Sequence, residues 1–322
     1  MKDEDDVRGD TMTDLPPRLR LGTRASLLAR WQADWVAARL RELGVEVQLI
    51  LITTTGDQQQ TPIGPVDGTG VFTKEIQREL LDRRIDLAVH SLKDLPTGAV
   101  PGLSLAAVPE RAPVSDVLVS ARYDSFEALP PGALVGTGSL RRRAQLLHAR
   151  GDLQMRDIRG NVDTRLRKLR QGDYDAIVLA EAGLRRLGLA EQITQVLPLG
   201  LALPAVGQGA LGLETRTDDP SARQAVAPLN HGATQAAVTA ERAMLETLRG
   251  GCLAPIAGWA RPEDQSLALT GRVLSSDGLE MLEVTQTAAW EAAEQLGRRV
   301  AEALRAQGAD DLIQISRRIA EE

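Results

Sequence analysis

Apolar positions in the first third of the chain switch between two periods. Leu27, Leu28, Trp31, Trp35, Val36, Leu40 and Leu43 recur at helical spacing, and Gly44 follows as a stop, which predicts a helix there. Arg18 to Leu21 alternates before it, and Val45 to Thr53 is a run of strand formers after it, so the opening unit reads strand–helix–strand. Thr54 to Gly70 is rich in Thr, Gln, Gly and Pro and predicts a long loop. A helix over Thr73 to Arg83 follows. The apolar strand Ile85-Asp-Leu-Ala-Val89 then runs into His90-Ser-Leu-Lys-Asp-Leu-Pro96.

The same grammar repeats after the proline-containing stretch 109–113. Leu134 and Val135 predict a strand, Gly136-Thr-Gly-Ser139 a turn and Leu140 to Ala149 a helix. Met155 to Ile158, Val162 to Arg170 and Ala176 to Leu179 continue as strand, helix and strand. Alternation of this kind places parallel strands between helices, with ligands beyond the carboxyl ends of the strands. Gly207 to Leu213 predicts a glycine-punctuated strand crossing back to the first unit. From about Leu229 the pattern becomes helix (Gln235 to Leu248), three alternating strands (Ile256–Trp259, Leu267–Val273, Met281–Gln286) and a helix (Trp290 to Leu304). The expected fold is therefore two doubly wound α/β domains, residues 16–112 plus 205–228 and residues 113–204. A small α+β domain with a three-stranded antiparallel sheet follows over 229–322.

Composition narrows the function. Hydrophobic residues make up 43% of the chain and aromatics 2%, with a net charge of −6 and a pI near 5.3. An acidic chain short of stacking side chains is not expected to bind nucleic acid. The one cysteine, Cys252, rules out an internal disulfide or a cysteine metal cluster, and the three histidines lack ligand spacing. The start is acidic and polar and is expected to be a tail through Pro17. No run approaches the roughly 18 apolar residues of a membrane span. The expectation is a cytoplasmic monomer without a membrane partner.

Charge changes the picture locally. Residues 139–170 hold nine arginines and one lysine against three aspartates. Arginine fixes carboxylates and phosphates through a planar fork that stays charged. Arg141 and Arg142 fall in a first helical turn behind Ser139, where cations are misplaced unless an anion arrives. Arg159 ends a strand, and Arg165 opens the next helix. These four are expected to bind an anion, whereas Arg167, Lys168 and Arg170 read as a solvated face. Thr23-Arg24-Ala25-Ser26 is a further anion-site candidate. Asp94 reads either as half of a surface ion pair with Lys93 or as a proton donor and acceptor in a cationic cleft. Cys252 reads either as a small buried hydrophobe or, behind Gly250-Gly251, as an accessible thiol for covalent attachment.

Seven segments in order bring these pieces together: Gly22-Thr-Arg-Ala-Ser26, His90 to Pro96, Gly136-Thr-Gly-Ser-Leu-Arg-Arg142, Ile158-Arg-Gly-Asn-Val-Asp-Thr-Arg165, Tyr174 to Ala180, Ala205 to Gly212 and Gly250-Gly-Cys252. With them the chain resembles the porphobilinogen deaminase family from about Arg18 onward. The resemblance implies an enzyme of tetrapyrrole synthesis that joins porphobilinogen molecules head to tail on a dipyrromethane, with loss of ammonia. It places that cofactor in thioether linkage at Cys252 and the proton-transfer role at Asp94. Lys93, Ser139, Arg141, Arg142, Asp94 and Gly209 are implied to hold the cofactor. Arg24, Ser26, Arg159, Arg165, Arg186 and Phe72 are implied to contact the substrate, whose rings each carry an acetate and a propionate. The run Asp67-Gly-Thr-Gly-Val-Phe72 has Thr69 where the family commonly has lysine, and Gln58-Gln-Gln60 also departs from it. A solute-binding protein of the periplasmic type II kind is the alternative reading. Nothing in it accounts for the Gly-Gly-Cys loop.

Overall fold

The computed structural model describes residues 18–53, 73–250, 254–264 and 266–321. The first unit runs β1 (Arg18–Arg24), α1 (Leu27–Glu42), β2 (Glu46–Ile52), α2 (Lys74–Leu81), β3 (Leu87–Ser91) and β4 (Leu103–Ala107). The second runs β5 (Asp116–Val119), β6 (Leu134–Gly136), α3 (Leu140–Ala149), β7 (Gln154–Arg156), α4 (Val162–Arg170), β8 (Ala176–Ala180), α5 (Glu181–Arg186) and β9 (Gln195–Val196). The chain then returns through β10 (Leu211–Arg216) and α6 (Pro220–Val226). Last come α7 (Gly232–Leu248), β11 (Ile256–Glu263), β12 (Ser266–Leu274), β13 (Met281–Ala289), α8 (Ala293–Ala306) and α9 (Ala309–Glu321).

Two five-stranded sheets share one plan. The first has the order β2-β1-β3-β10-β4 and the second β7-β6-β8-β5-β9. In each, three parallel strands meet an antiparallel fourth: β10 against β3, and β5 against β8. The fourth strand of the first sheet arrives only after the second sheet is complete, so the chain crosses between the sheets twice, before β5 and before β10. The third sheet is the antiparallel β11-β12-β13. This is the mixed α/β architecture expected, with a small antiparallel sheet at the end.

Local sequence explains most elements. Ser26 caps α1 by accepting from the Ala29 N–H, and Gly44 takes a φ of +84° just beyond its end. Ala33, Val36, Ala37 and Leu40 on one face of α1 are fully buried against β1, β2 and β3. Val36 and Leu40 each contribute about 1.5–3 kcal/mol when fully removed from water, and each alanine methyl about 0.8 kcal/mol. Several predicted boundaries shift. The strand expected at Gly207–Leu213 forms at Leu211–Arg216, because Gly207 and Gly209 take positive φ in a turn ahead of it. The helix expected from Gln235 begins at Gly232, where the His231 ring caps the Thr234 N–H. The one expected from Trp290 begins with a single 3-10 turn, Trp290–Ala292, before α8. Met155–Ile158 pairs only as β7, Gln154–Arg156, and Ile158 turns inward to complete burial. Strands β4, β5 and β9 and helices α5, α6 and α9 had no expectation. The strands among them are five residues or fewer, too short for a period to register.

Candidate functional site

A cleft of about 310 Å³ opens between the first two sheets, beyond the carboxyl ends of β1, β3 and β8. Strand β3 delivers its chemistry directly. After Ser91 the chain makes one 3-10 turn, Leu92–Asp94, with Leu92 buried and Lys93 and Asp94 presented to the cleft. Two anchors set that turn. Gln32 on α1 exchanges hydrogen bonds with the Ser91 hydroxyl, at 2.8 and 3.2 Å. His90 meets Glu214 of β10 at 3.0 Å, and Gln77 donates to the other Glu214 oxygen at 3.0 Å.

Arg24 and Ser26 line the same cleft from the end of β1 and the start of α1. Arg142, Arg165 and Arg186 line it from the second unit. Five cationic side chains therefore face two aspartates, Asp94 and Asp163. The cleft opens to solvent, and Lys93 and Asp94 are exposed within it. Lys93 has accessible surface, yet it sits between walls of protein. Burial pushes its ammonium down to about 8, with Arg142 adding to the effect and Asp94 opposing it. Arg165 is pushed down to about 10 by burial and by Arg142, and Arg186 to about 10 by burial. Crowded, desolvated cations of this kind favour an incoming anion.

The arginine-rich segment divides into three groups. Arg141 and Arg142 are buried and already hold an anion, Asp116, at the start of β5. Arg142 Nη2 lies 2.8 Å from Asp116 Oδ1 and Arg141 Nη2 lies 2.8 Å from Oδ2. Arg142 also donates to the Val178 carbonyl and Arg141 to the Leu203 carbonyl. Sequence reading treated both as waiting for a ligand and missed Asp116, which no motif marks. Arg141 holds Asp116 and the Leu203 carbonyl, keeps a buried Nε without a partner, and is not among the cleft-lining residues. Arg142 does line the cleft and keeps a buried Nε without a partner. Arg165 lines it too, braced by its Nε donating to the Gly160 carbonyl at 2.7 Å. Arg159 stands outside the lining, 3.6 Å from Asp157 and half exposed.

Ser139 is the cap of α3, accepting from the Arg142 N–H, and it does not line the cleft. Gly209 lines it and has to be glycine. Its φ is +84°, and a Cβ there would sit 2.4 Å from the Ala112 carbonyl oxygen on the other chain crossing. The Gly209 carbonyl accepts from Arg186 Nη2 at 2.7 Å, and the Arg186 guanidinium lies over the Trp31 ring at 5.8 Å. Gln208, also unforeseen, bridges the crossings by donating to Asp116 Oδ1 at 2.8 Å and to the Val114 carbonyl at 2.7 Å. Phe72 and Cys252 lie outside the described residues, as do Thr69 and Gln58-Gln-Gln60. An excess of desolvated cations, one with an unpartnered buried Nε, fits a ligand carrying several carboxylates. A dipyrromethane with acetate and propionate arms is such a ligand.

Comparison with known proteins agrees with that chemistry. A family model described as "Porphobilinogen deaminase, dipyromethane cofactor binding domain" matches residues 19–224. A second, "Porphobilinogen deaminase, C-terminal domain", matches residues 235–306. A porphobilinogen deaminase of Syntrophotalea carbinolica is 49% identical over 92% of this chain and 95% of its own length. Those of Geobacter metallireducens and Acidithiobacillus ferrooxidans are each 47% identical, over 92% and 93% of this chain and 94% and 98% of their own lengths. Among solved structures, the methionine-binding protein MetQ aligns with 65% of this chain and 90% of its own at 13% identity and a TM-score of 0.43. With family models over most of its length and relatives near half identity end to end, this chain belongs to the porphobilinogen deaminase family.

Proposed function

We propose that this enzyme joins porphobilinogen molecules head to tail on a dipyrromethane held at Cys252, loses ammonia at each addition and releases hydroxymethylbilane by hydrolysis. The observation that carries the reading is the cleft itself: Asp94 at a strand end, facing Lys93, Arg24, Arg142, Arg165 and Arg186. When bound, the dipyrromethane supplies the ring carbon to which the first porphobilinogen is joined. Lys93 and Arg142 would hold its carboxylates and would share those of the incoming ring with Arg24, Ser26, Arg165 and Arg186, which line the same cleft. Arg159 meets the longer chain at the rim.

Asp94 moves the protons. As an acid it gives a proton to the aminomethyl nitrogen of the substrate, so that ammonia leaves in place of an amide anion. As a carboxylate it then offsets the positive charge that develops on that substrate. It regains its proton from the pyrrole α-carbon where the new bond forms, which returns the residue to its starting state.

The reading extends to a monomer working in the cytoplasm on porphobilinogen and the growing chain, without nucleic acid. Its support is the acidic chain, its few aromatics and a single thiol whose use as an attachment point suits a reducing compartment. Among the described residues no helix is long and apolar enough to cross a membrane.

The test uses the purified protein. Ehrlich's reagent should give the colour of a bound dipyrromethane, and turnover of porphobilinogen should release one ammonia per ring consumed. Intact mass should show the two pyrroles on the native chain and not on Cys252→Ala. A colourless native protein that ignores porphobilinogen would overturn the function, and a Cys252→Ala chain still carrying the pyrroles would overturn the attachment.

A further inference from the structure

Strand β12 is buried along nearly its whole length, and a charged side chain in such a strand is costly unless its donors are met. Arg272 is that side chain, and its residue is 5% exposed. Nε donates to Glu283 Oε2 at 2.6 Å on the neighbouring β13. Nη1 leaves the sheet and donates to Gln145 Oε1 at 2.7 Å, on helix α3 of the second unit.

Gln145 uses the rest of its amide on the backbone of Leu203 and on the Arg141 carbonyl, to which Nε2 donates at 3.3 Å. Oε1 accepts from the Leu203 N–H at 2.9 Å, and Nε2 donates to the Leu203 carbonyl at 3.0 Å. The same carbonyl accepts from Arg141 Nη1 at 2.6 Å, and Arg141 continues to Asp116. A cation at Oε1 fixes which end of the amide faces the Leu203 N–H, since reversing it would bring NH₂ against the guanidinium. Leu203 begins the crossing that leads to Gly207 and Gly209 at the cleft. The seat is reinforced at the far end of α3, where His148 Nδ1 meets the Gly278 carbonyl of the β12–β13 hairpin at 2.7 Å.

We propose that Arg272 is a positioning residue. By fixing Gln145 and Leu203 it sets the buried Arg141–Asp116–Arg142 cluster, and with it the affinity of the cleft for pyrrole carboxylates. The inference rests on the proposed function for its ligand but not for its geometry. A merely structural Arg272 would act through Glu283 within the sheet.

The two roles separate by variants of the full holoenzyme. Arg272→Met should raise KM for porphobilinogen by about tenfold while kcat stays within about twofold, the pattern of lost binding. It should also speed amide hydrogen exchange at Leu203 by about tenfold, without altering exchange in β1. Glu283→Leu weakens the same sheet pair and should leave both KM and Leu203 exchange within about twofold of the native values. Native KM and native Leu203 exchange in Arg272→Met would overturn the inference, as would an equal KM rise in Glu283→Leu. If the Met variant does not fold, Arg272→Lys decides, because one ammonium drawn to Glu283 leaves Gln145 without its donor and Leu203 should still exchange faster. If the native protein ignores porphobilinogen, the proposed function fails, and Leu203 exchange still tests the positioning.

Discussion

Asp116 lies against Arg142 with Oδ1 2.8 Å from Nη2, and its other oxygen is 2.8 Å from Arg141 Nη2. One fully buried carboxylate thus neutralises part of the charge at the wall of the cleft. Burial raises its pKa, yet the two guanidiniums and the Gln208 amide outweigh that and hold it far below the usual carboxylate range. Asp116→Asn leaves two buried guanidiniums with one neutral partner. The expected cost is on the order of 3–5 kcal/mol, that of breaking a buried ion pair from one side. A folded-state pKa below the unfolded 3.8 means that this stability is present above about pH 4 and lost only in stronger acid. Urea unfolding should therefore give a native-minus-variant difference that is flat from pH 7 to pH 5. A difference under about 1 kcal/mol would show that the cluster does not depend on Asp116.

That carboxylate marks the boundary of what the sequence makes legible. Helices α3 and α4 form over the predicted residues because apolar spacing and charged faces are local signals, joined in α3 by the Ser139 cap. Lys93 and Asp94 were legible because an apolar strand pointed at them. Asp116 was not, because its role depends on Arg142, 26 positions later, and on Gln208, which returns from the second crossing. The density of arginine reads as a demand for anions, but nothing local says that one of those anions is internal. Arg272 was hidden for the same reason: alternation predicts its strand, but only the docking of a sheet on α3 gives its guanidinium a partner.

Asp94 is the one acid presented from β3 to the cleft, and its reach is set by a single 3-10 turn held at Ser91. Lengthening it by one methylene keeps the charge and moves the carboxyl. Asp94→Glu should keep the bound pyrroles and lose turnover by on the order of 10²- to 10⁴-fold, the range for a displaced general acid–base group. Intact mass checks the first part and ammonia release the second. Full turnover in Asp94→Glu would remove the proton-transfer role.

Lys93 predicts a pH dependence with opposite signs for folding and binding. Its pKa falls from 10.5 to about 8 in the folded protein, burial being the main cause. The folded state is thus penalised for carrying the ammonium. That penalty is complete below about pH 8 and relieved as pH rises toward 10.5, so this group's contribution to stability improves across that window. Carboxylate binding needs the ammonium and should weaken over the same window. KM for porphobilinogen is expected to rise above about pH 8, and Lys93→Arg should remove the inflection because a guanidinium stays charged. An unchanged inflection in Lys93→Arg would assign it to another group.

Arg186 ties the two sides of the cleft together before any ligand does. Its Nη2 donates to the Gly209 carbonyl, and its guanidinium covers Trp31, which α1 presents from the first unit. A cation over an indole at a partly exposed site is worth about 0.5–1 kcal/mol, less than a guanidinium–carboxylate bond inside a desolvated cleft. A substrate carboxylate should therefore win the guanidinium from the ring. Trp31 then reports the exchange: porphobilinogen should change the tryptophan emission of the native holoenzyme, and Trp31→Phe should abolish most of that change while the other three tryptophans remain. Arg186→Ala should also lose the change and raise KM, whereas Arg185→Ala, whose side chain points to Glu181, should do neither. An undiminished emission change in Trp31→Phe would mean that Arg186 keeps its place on the ring when substrate binds, and that the carboxylate is held by its neighbours instead.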